Sequence, residues 1–127
     1  MLNREFNFTL DVCASAQNAK LKRYFSREHN GLLRSWKGET IFMNPPYSEV
    51  GKWVARAYGA AQNEGALVVC LIPSRTGTRW WHDYAMKGEV RFIRGRLRFG
   101  VAKADSPFDS AVVVFRPKEF KLESWPA

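Results

Sequence analysis

The spacing of apolar and polar positions changes several times along this chain, and each change marks an element. Phe6-Asn7-Phe8-Thr9-Leu10-Asp11-Val12-Cys13 alternates and then runs apolar, which predicts a first strand. Residues 14–36 are polar and irregular and predict a long connection, with a short strand or turn near Gly31-Leu32-Leu33. Thr40 to Met43 predicts a second strand. Val50, Trp53, Val54, Ala57 and Ala61 then recur at helical spacing, predicting a helix from about Glu49 to Glu64 with Ser48 as its cap and Gly65 as its stop. Ala66 to Ile72 is an unbroken apolar run of the kind buried on both faces of a central parallel strand, ended by Pro73. Thr78 to Lys87 predicts a shorter helix closed by Gly88. Trp81, Tyr84 and Ala85 form its core stripe, which leaves Trp80 nearer a cleft or the surface. Glu89 to Arg94 and Arg96 to Gly100 predict short strands pivoting near Gly95. Ala111 to Phe115 predicts a last buried strand closed by Pro117. The tail 118–127 carries little pattern and is expected to be disordered.

Strand, helix, strand, helix and then strands describes an α/β fold, a mostly parallel sheet with antiparallel strands at one edge. At 127 residues the chain is one domain, 1–127, with no repeat or internal linker, and 46% hydrophobic content supplies an ordinary core. The start, Met-Leu-Asn-Arg-Glu, is polar and unlike a signal peptide, and no apolar run approaches the roughly 20 residues a membrane span needs. Cys13 and Cys70 both lie in apolar runs and read as buried free thiols of a reducing cytoplasm, not as a disulfide or a metal site. A net charge of +8 attracts polyanions, nucleic acid first among them, although many small basic proteins bind nothing in particular.

The candidate chemistry sits where the second predicted strand ends. Ile41-Phe42-Met43 runs into Asn44-Pro45-Pro46-Tyr47-Ser48, which puts an amide, two rigid rings and an aromatic at the carboxyl edge, where open α/β sheets bind ligands. The arrangement suits activation of a planar amino group for attack on a methyl donor. The exocyclic amine of adenine is a poor nucleophile because its lone pair is delocalised into the ring. The Asn44 side-chain oxygen can accept one amine hydrogen and the Pro45 carbonyl the other, drawing the nitrogen toward a tetrahedral state by preorganised electrostatics. Prolines fix φ and carry no N–H, so the direction of that carbonyl is set. Tyr47 can stack on the base, which must be flipped out of a duplex to be reached. The plainer alternative is that Asn-Pro-Pro only ends a strand in a turn.

Together these residues resemble the phage-type DNA N-6-adenine methyltransferase (Dam) family. The matching blocks run in order over nearly the whole chain: Leu10-Asp11-Val12-Cys13-Ala14-Ser15, Asn18-Ala19-Lys20, Tyr24-Phe25, Asn44-Pro45-Pro46-Tyr47-Ser48 with Trp53, Leu71-Ile72-Pro73-Ser74-Arg75-Thr76, Arg79-Trp80-Trp81-His82, Gly95 to Gly100, and Ser106-Pro107-Phe108. The resemblance implies a Rossmann-like fold, S-adenosylmethionine as methyl donor and adenine in DNA as acceptor. It also implies a cytoplasmic protein of phage or prophage origin, acting as a monomer or homodimer. It places Asn44, Pro45, Pro46 and Tyr47 at the reacting base, and Asp11, Cys13, Ala14 and Asn30 around the donor. Asp11 would accept from the donor's ammonium group; the structural alternative is a carboxylate capping the next turn. Asn30 stands where the family has an acidic residue contacting the donor's adenine, and it equally suits a turn before Gly31. Relatives carry a Thr-Pro-containing segment ahead of the first strand, where this chain has only residues 1–7.

Arg75 and Arg79 follow the central strand on the same edge and are candidates for DNA phosphates, with positioning of the base as the alternative for Arg75. Arg94, Arg96 and Arg98 alternate with apolar neighbours and would line one strand face, either against the DNA backbone or as a solvated edge that discourages aggregation. His82 lacks a nucleophile or metal-ligand spacing around it and reads as structural. Two other functions remain open on the residues alone: a non-catalytic DNA-binding remnant of the family, and a methyltransferase acting on a protein glutamine amide.

Overall fold

A computed structural model of the chain describes residues 2–13, 31–95 and 109–118. Five strands form one mixed sheet: β1 (Leu10–Asp11), β2 (Thr40–Met43), β3 (Leu67–Pro73), β4 (Glu89–Phe92) and β5 (Ser110–Phe115), in the order β1-β2-β3-β5-β4. The first three are parallel, with Leu10 opposite Ile41 and Met43 opposite Cys70. β5 runs antiparallel to both β3 and β4, Pro73 pairing with Ser110 and Phe92 with Ala111. This is the α/β arrangement expected of a Rossmann-like methyltransferase, and it has a useful consequence. The carboxyl ends of β1, β2, β3 and β4 and the start of β5 all lie along one edge.

One face of the sheet is covered by α2 (Val50–Asn63) and α3 (Arg79–Asp83). α2 turns Val50, Trp53, Val54, Ala57, Ala60 and Ala61 inward, adding Ala60 to the expected stripe. Small alanines let the helix lie close to Val68, Cys70 and Val113 of the sheet, within one core cluster that also holds Trp36 and Trp81. Gly65 does stop the helix. It takes φ +66°, and Ala66 N–H reaches back to the Ala60 carbonyl at 3.4 Å. Ser48 does not start it: a 3-10 turn over Tyr47–Glu49 leads in, and no side chain caps the first turn. The predicted helix 78–87 is two pieces, α3 followed by a 3-10 turn at Ala85–Lys87. Thr78 caps α3 by accepting from Trp81 N–H at 3.3 Å.

The other face is covered differently from expectation. The alternating run 6–13 is not one strand, because β1 is an edge element with only β2 to pair with and its ladder is confined to Leu10–Asp11. A short helix α1 (Leu2–Phe6) precedes it, ended by Asn7 at φ +53°. Phe6 stacks on Phe8 at 5.9 Å, and Phe8 lies 5.5 Å from Phe42 of β2. Glu5 meets Arg91 of β4 through bonds of 2.8 and 2.9 Å, and Arg91 also pairs with Glu89. Residues 5–10 therefore strap the sheet from β4 at one edge to β1 at the other, over Val69, Val112 and Val114.

Pro73 closes the ladder from inside β3 rather than ending the strand before it, and its missing N–H is no loss at the last pair. The turn expected near Gly31 is a 3-10 turn over Gly31–Leu33. Arg94 lies just past β4. The expected strand Arg96–Gly100, the blocks at 14–25 and 106–108 and nearly all of the tail lie outside the described residues.

Candidate active site

The parallel strands deliver three segments to one edge. β1 delivers Asp11 and Cys13, β2 delivers Asn44 to Tyr47, and β3 delivers Ser74 to Thr78. Asn44 follows directly on the buried Met43 and is half-buried itself. Among the described residues its carboxamide engages no hydrogen-bond partner and is not sealed from solvent. Pro45 is buried, and among the described residues no backbone N–H donates to its carbonyl. Pro46 holds φ −63° and ψ 142°, an extended geometry its ring enforces, and its own carbonyl accepts Glu49 N–H at 3.0 Å. The two acceptors invoked for the amine are thus the groups that the local structure leaves unused. Tyr47 is 43% exposed beside them.

Asp11 is 4% exposed at the mouth of β1, a burial unusual for a carboxylate. Its Oδ1 accepts the Cys13 N–H at 3.2 Å, so the turn-capping role left open above is present. The Cys13 thiol lies against the start of the Asn44 motif and takes a hydrogen bond from Asn44 N–H. Burial pushes that thiol well above its ordinary range, the charge on Asp11 and nearby Cys70 add to the effect, and the Asn44 N–H opposes it. Cys13 is therefore a neutral thiol that joins the ends of β1 and β2. Ala14, Asn30, Arg96 and Arg98 lie outside the described residues.

The loop after β3 is locally knotted. Ser74 N–H bonds the Asp109 carbonyl at 2.8 Å, Thr78 Oγ1 donates to the Arg75 carbonyl at 2.8 Å, and the His82 ring meets the Thr76 carbonyl at 2.6 Å. His82 is structural, as expected, a staple between α3 and this loop. Arg75 and Arg79 are exposed on it, at the same edge as Asn44. Ser74 Oγ is sealed from solvent and, among the described residues, has no partner. Trp80 is half-buried rather than offered to solvent. A Cβ on Gly51, in the first turn of α2, would sit 3.1 Å from its ring, so the ring lies on the start of the helix that follows the motif.

A cavity of about 270 Å³, lined in part by Tyr58, Gln62, Lys87 and Phe115, opens at the opposite edge. Phe115 pairs with Val68 near the start of β3, so this cavity is a strand length away from the motif. The residues expected to carry the chemistry lie at the carboxyl edge, away from this cavity. Sequence reasoning did not single out Ser74 alone or the exposed Phe92; a buried serine without a partner has no local signal.

A Rossmann-like α/β sheet with Asn-Pro-Pro-Tyr at its carboxyl edge, beside a buried carboxylate, defines a protein of the methyltransferase type. The chain belongs to the DNA N-6-adenine-methyltransferase (Dam) family, whose model matches residues 1–123. It is 36% identical over 120 residues to a DNA N-6-adenine-methyltransferase of Haemophilus phage HP1 (strain HP1c1), covering 87% of this chain and 68% of that protein. It is 25% identical over 138 aligned positions to a DNA N-6-adenine-methyltransferase of Escherichia phage T1, covering 90% of this chain and 56% of that protein. No helix among the described residues is long and apolar enough to cross a membrane, and no group of three His, Cys, Asp or Glu side chains among them is placed to hold a metal ion.

Proposed function

We propose that this protein transfers a methyl group from S-adenosylmethionine to the exocyclic amine of adenine in DNA, inside the cytoplasm of a bacterial host. The observation that carries the reading is the pairing of the unengaged Asn44 carboxamide with the unused Pro45 carbonyl on a proline-fixed turn at the carboxyl edge. The donor set fits the proposed cofactor. Asp11, a buried carboxylate that accepts Cys13 N–H, offers an ammonium its counter-charge, and the Ser74 hydroxyl, buried and without a partner among the described residues, is a group that a polar sugar would satisfy. Asp11 and Cys13 would hold the donor's amino-acid end, with Ala14 and Asn30 assigned by the resemblance. When bound, S-adenosylmethionine supplies an electrophilic methyl group on a sulfonium.

The chain's residues then have three tasks. Asn44 Oδ1 and the Pro45 carbonyl each accept one hydrogen of the adenine amine, turning its lone pair out of conjugation and toward the methyl carbon. Tyr47, exposed at the rim, stacks on the base once it has left the duplex. Arg75 and Arg79 hold phosphates on either side. The methylated nitrogen carries a positive charge and becomes acidic, so its proton passes to water; no strong base is required, in keeping with His82 being engaged by Thr76.

Methyl transfer from labelled S-adenosylmethionine to plasmid DNA tests the reading. Asn44→Ala should lower kcat by about 10²–10³, the usual effect of losing one preorganised group at a developing charge. Equal incorporation by Asn44→Ala and parent would remove Asn44 from the mechanism. Methylation of a glutamine-containing peptide with none on DNA would replace the acceptor.

A further inference from the structure

The catalytic edge continues past the motif. β4 ends on it, and the last residue of β4, Phe92, is 71% exposed, the most exposed aromatic ring among the described residues. Scattered apolar side chains are normal on a surface. This one differs in its support and its surroundings. The Trp81 ring, 3% exposed, lies 6.3 Å behind it at 33°, so Phe92 is held outward by a fixed core residue. Phe92 pairs with Ala111 and Ala111 with Ile72, which places it at the level of the β3 carboxyl end. Exposed arginines share its edge: Arg94 two residues on in the chain, and Arg75 and Arg79 on the loop and helix that follow β3.

We propose that Phe92 is a DNA-stacking residue, packing its ring on a base of the substrate away from the flipped adenine and so positioning the strand across the site. This rests on the DNA-methylating reading above and adds a contact to it. β4 is three strands from β2, and strands are spaced about 4.8 Å apart, so Phe92 lies about 14 Å along the edge from Asn44. At about 3.4 Å per nucleotide that is roughly four steps from the target. A polyanion brought in by the arginines meets an apolar ring there whose face is sequence-tolerant, because every base has a π surface. The arginines favour a polyanion over the obvious rival, a second copy of this +8 chain, which would bring like charge to the same edge.

Affinity for a single-stranded oligonucleotide, measured by fluorescence anisotropy over a range of salt concentrations, alongside donor calorimetry and thermal melting, tests the assignment. Phe92→Ala should weaken binding about tenfold at every salt concentration, leaving the slope of log affinity against log salt unchanged. Phe92→Leu, which keeps apolar cover on Trp81 but removes the ring, should weaken it comparably, and Phe92→Trp should restore it. Arg79→Ala, in contrast, should reduce the slope by about one. Donor heat and melting temperature should be those of the parent in all three Phe92 variants. Parental affinity in Phe92→Ala and Phe92→Leu would overturn the proposal, as would a change in oligomeric state with DNA affinity intact. If the parent itself neither binds nor methylates DNA, the broader reading fails first; if the parent methylates and the Phe92 variants bind like it, only this inference is lost.

Discussion

Arg56→Ala is expected to cost about 3 kcal/mol of stability. Arg56 leaves α2 and clasps the segment that leads into β2. It donates to the Leu32 carbonyl at 3.1 Å, to the Arg34 carbonyl at 2.7 Å, and to both oxygens of Glu64 at 2.5 and 3.2 Å. Its guanidinium also lies 4.5 Å over the Trp36 ring. A charged donor contributes roughly 1.5–3 kcal/mol per bond when its partner is stranded. Here the side chains are 20% and 27% exposed, so water replaces part of each lost bond and the pair is discounted toward surface values. Two carbonyl bonds at about 1 kcal/mol each, the ion pair at about 0.5 and the ring contact at about 0.5 lead to the figure above. For a domain of this size that is a fall in Tm of about 10 °C. Acid should narrow the gap. The Glu64 carboxyl is held below its ordinary 4.5, first by Arg56, with Trp36 N–H assisting against the opposing effect of burial. A depressed carboxyl stabilises above its unfolded value and loses that contribution as pH falls through the folded value, so the pair is intact at neutral pH and is lost in acid, as pH falls below 4.5 and through the depressed folded value. Urea unfolding of parent and variant at neutral pH and at about pH 3 reads both effects. A neutral-pH difference under about 0.5 kcal/mol, or one that widens in acid, would refute the clasp.

Three further outcomes are expected. Gly88→Ala should destabilise by about 1–3 kcal/mol, because its Cβ would fall 2.8 Å from Val113 Cγ1 and 2.9 Å from the rigid Val114 carbonyl; unchanged melting would mean that the 3-10 turn shifts freely. Trp36→Phe should cost about 1–2 kcal/mol by removing the buried Trp36 Nε1 bond to the Gly31 carbonyl at 2.9 Å, which leaves that oxygen only Arg34 N–H at 3.3 Å, and denaturant midpoints check it. Cys13 and Cys70 should react with a disulfide reagent at mildly alkaline pH much more slowly than in the unfolded chain, since burial pushes both thiols far up; a fast stoichiometric burst in the native protein would contradict their placement.

What the chain determined by itself is local. β2, α2, β3 and β5 each carry a pattern that closes within one element: an apolar run, a helical stripe or a stop at Gly65. The Asn-Pro-Pro-Tyr turn belongs with them, since proline geometry is set by covalent rings wherever it occurs. Tertiary structure decided the rest. Phe6 and Phe8 alternate as a strand does, but edge pairing holds only Leu10–Asp11, and the rings strap the second face instead. Ser48 has the chemistry of a cap and is bypassed by a 3-10 turn. The reversed direction of β5 brings Phe92 to the edge that holds Asn44, and the meeting of Cys13 with Asn44 and of Arg56 with Glu64 depends on which strands and helices become neighbours. Periodicity records which face of an element is apolar; it carries no information about which distant element covers that face, and that pairing is settled only when the whole core packs at once.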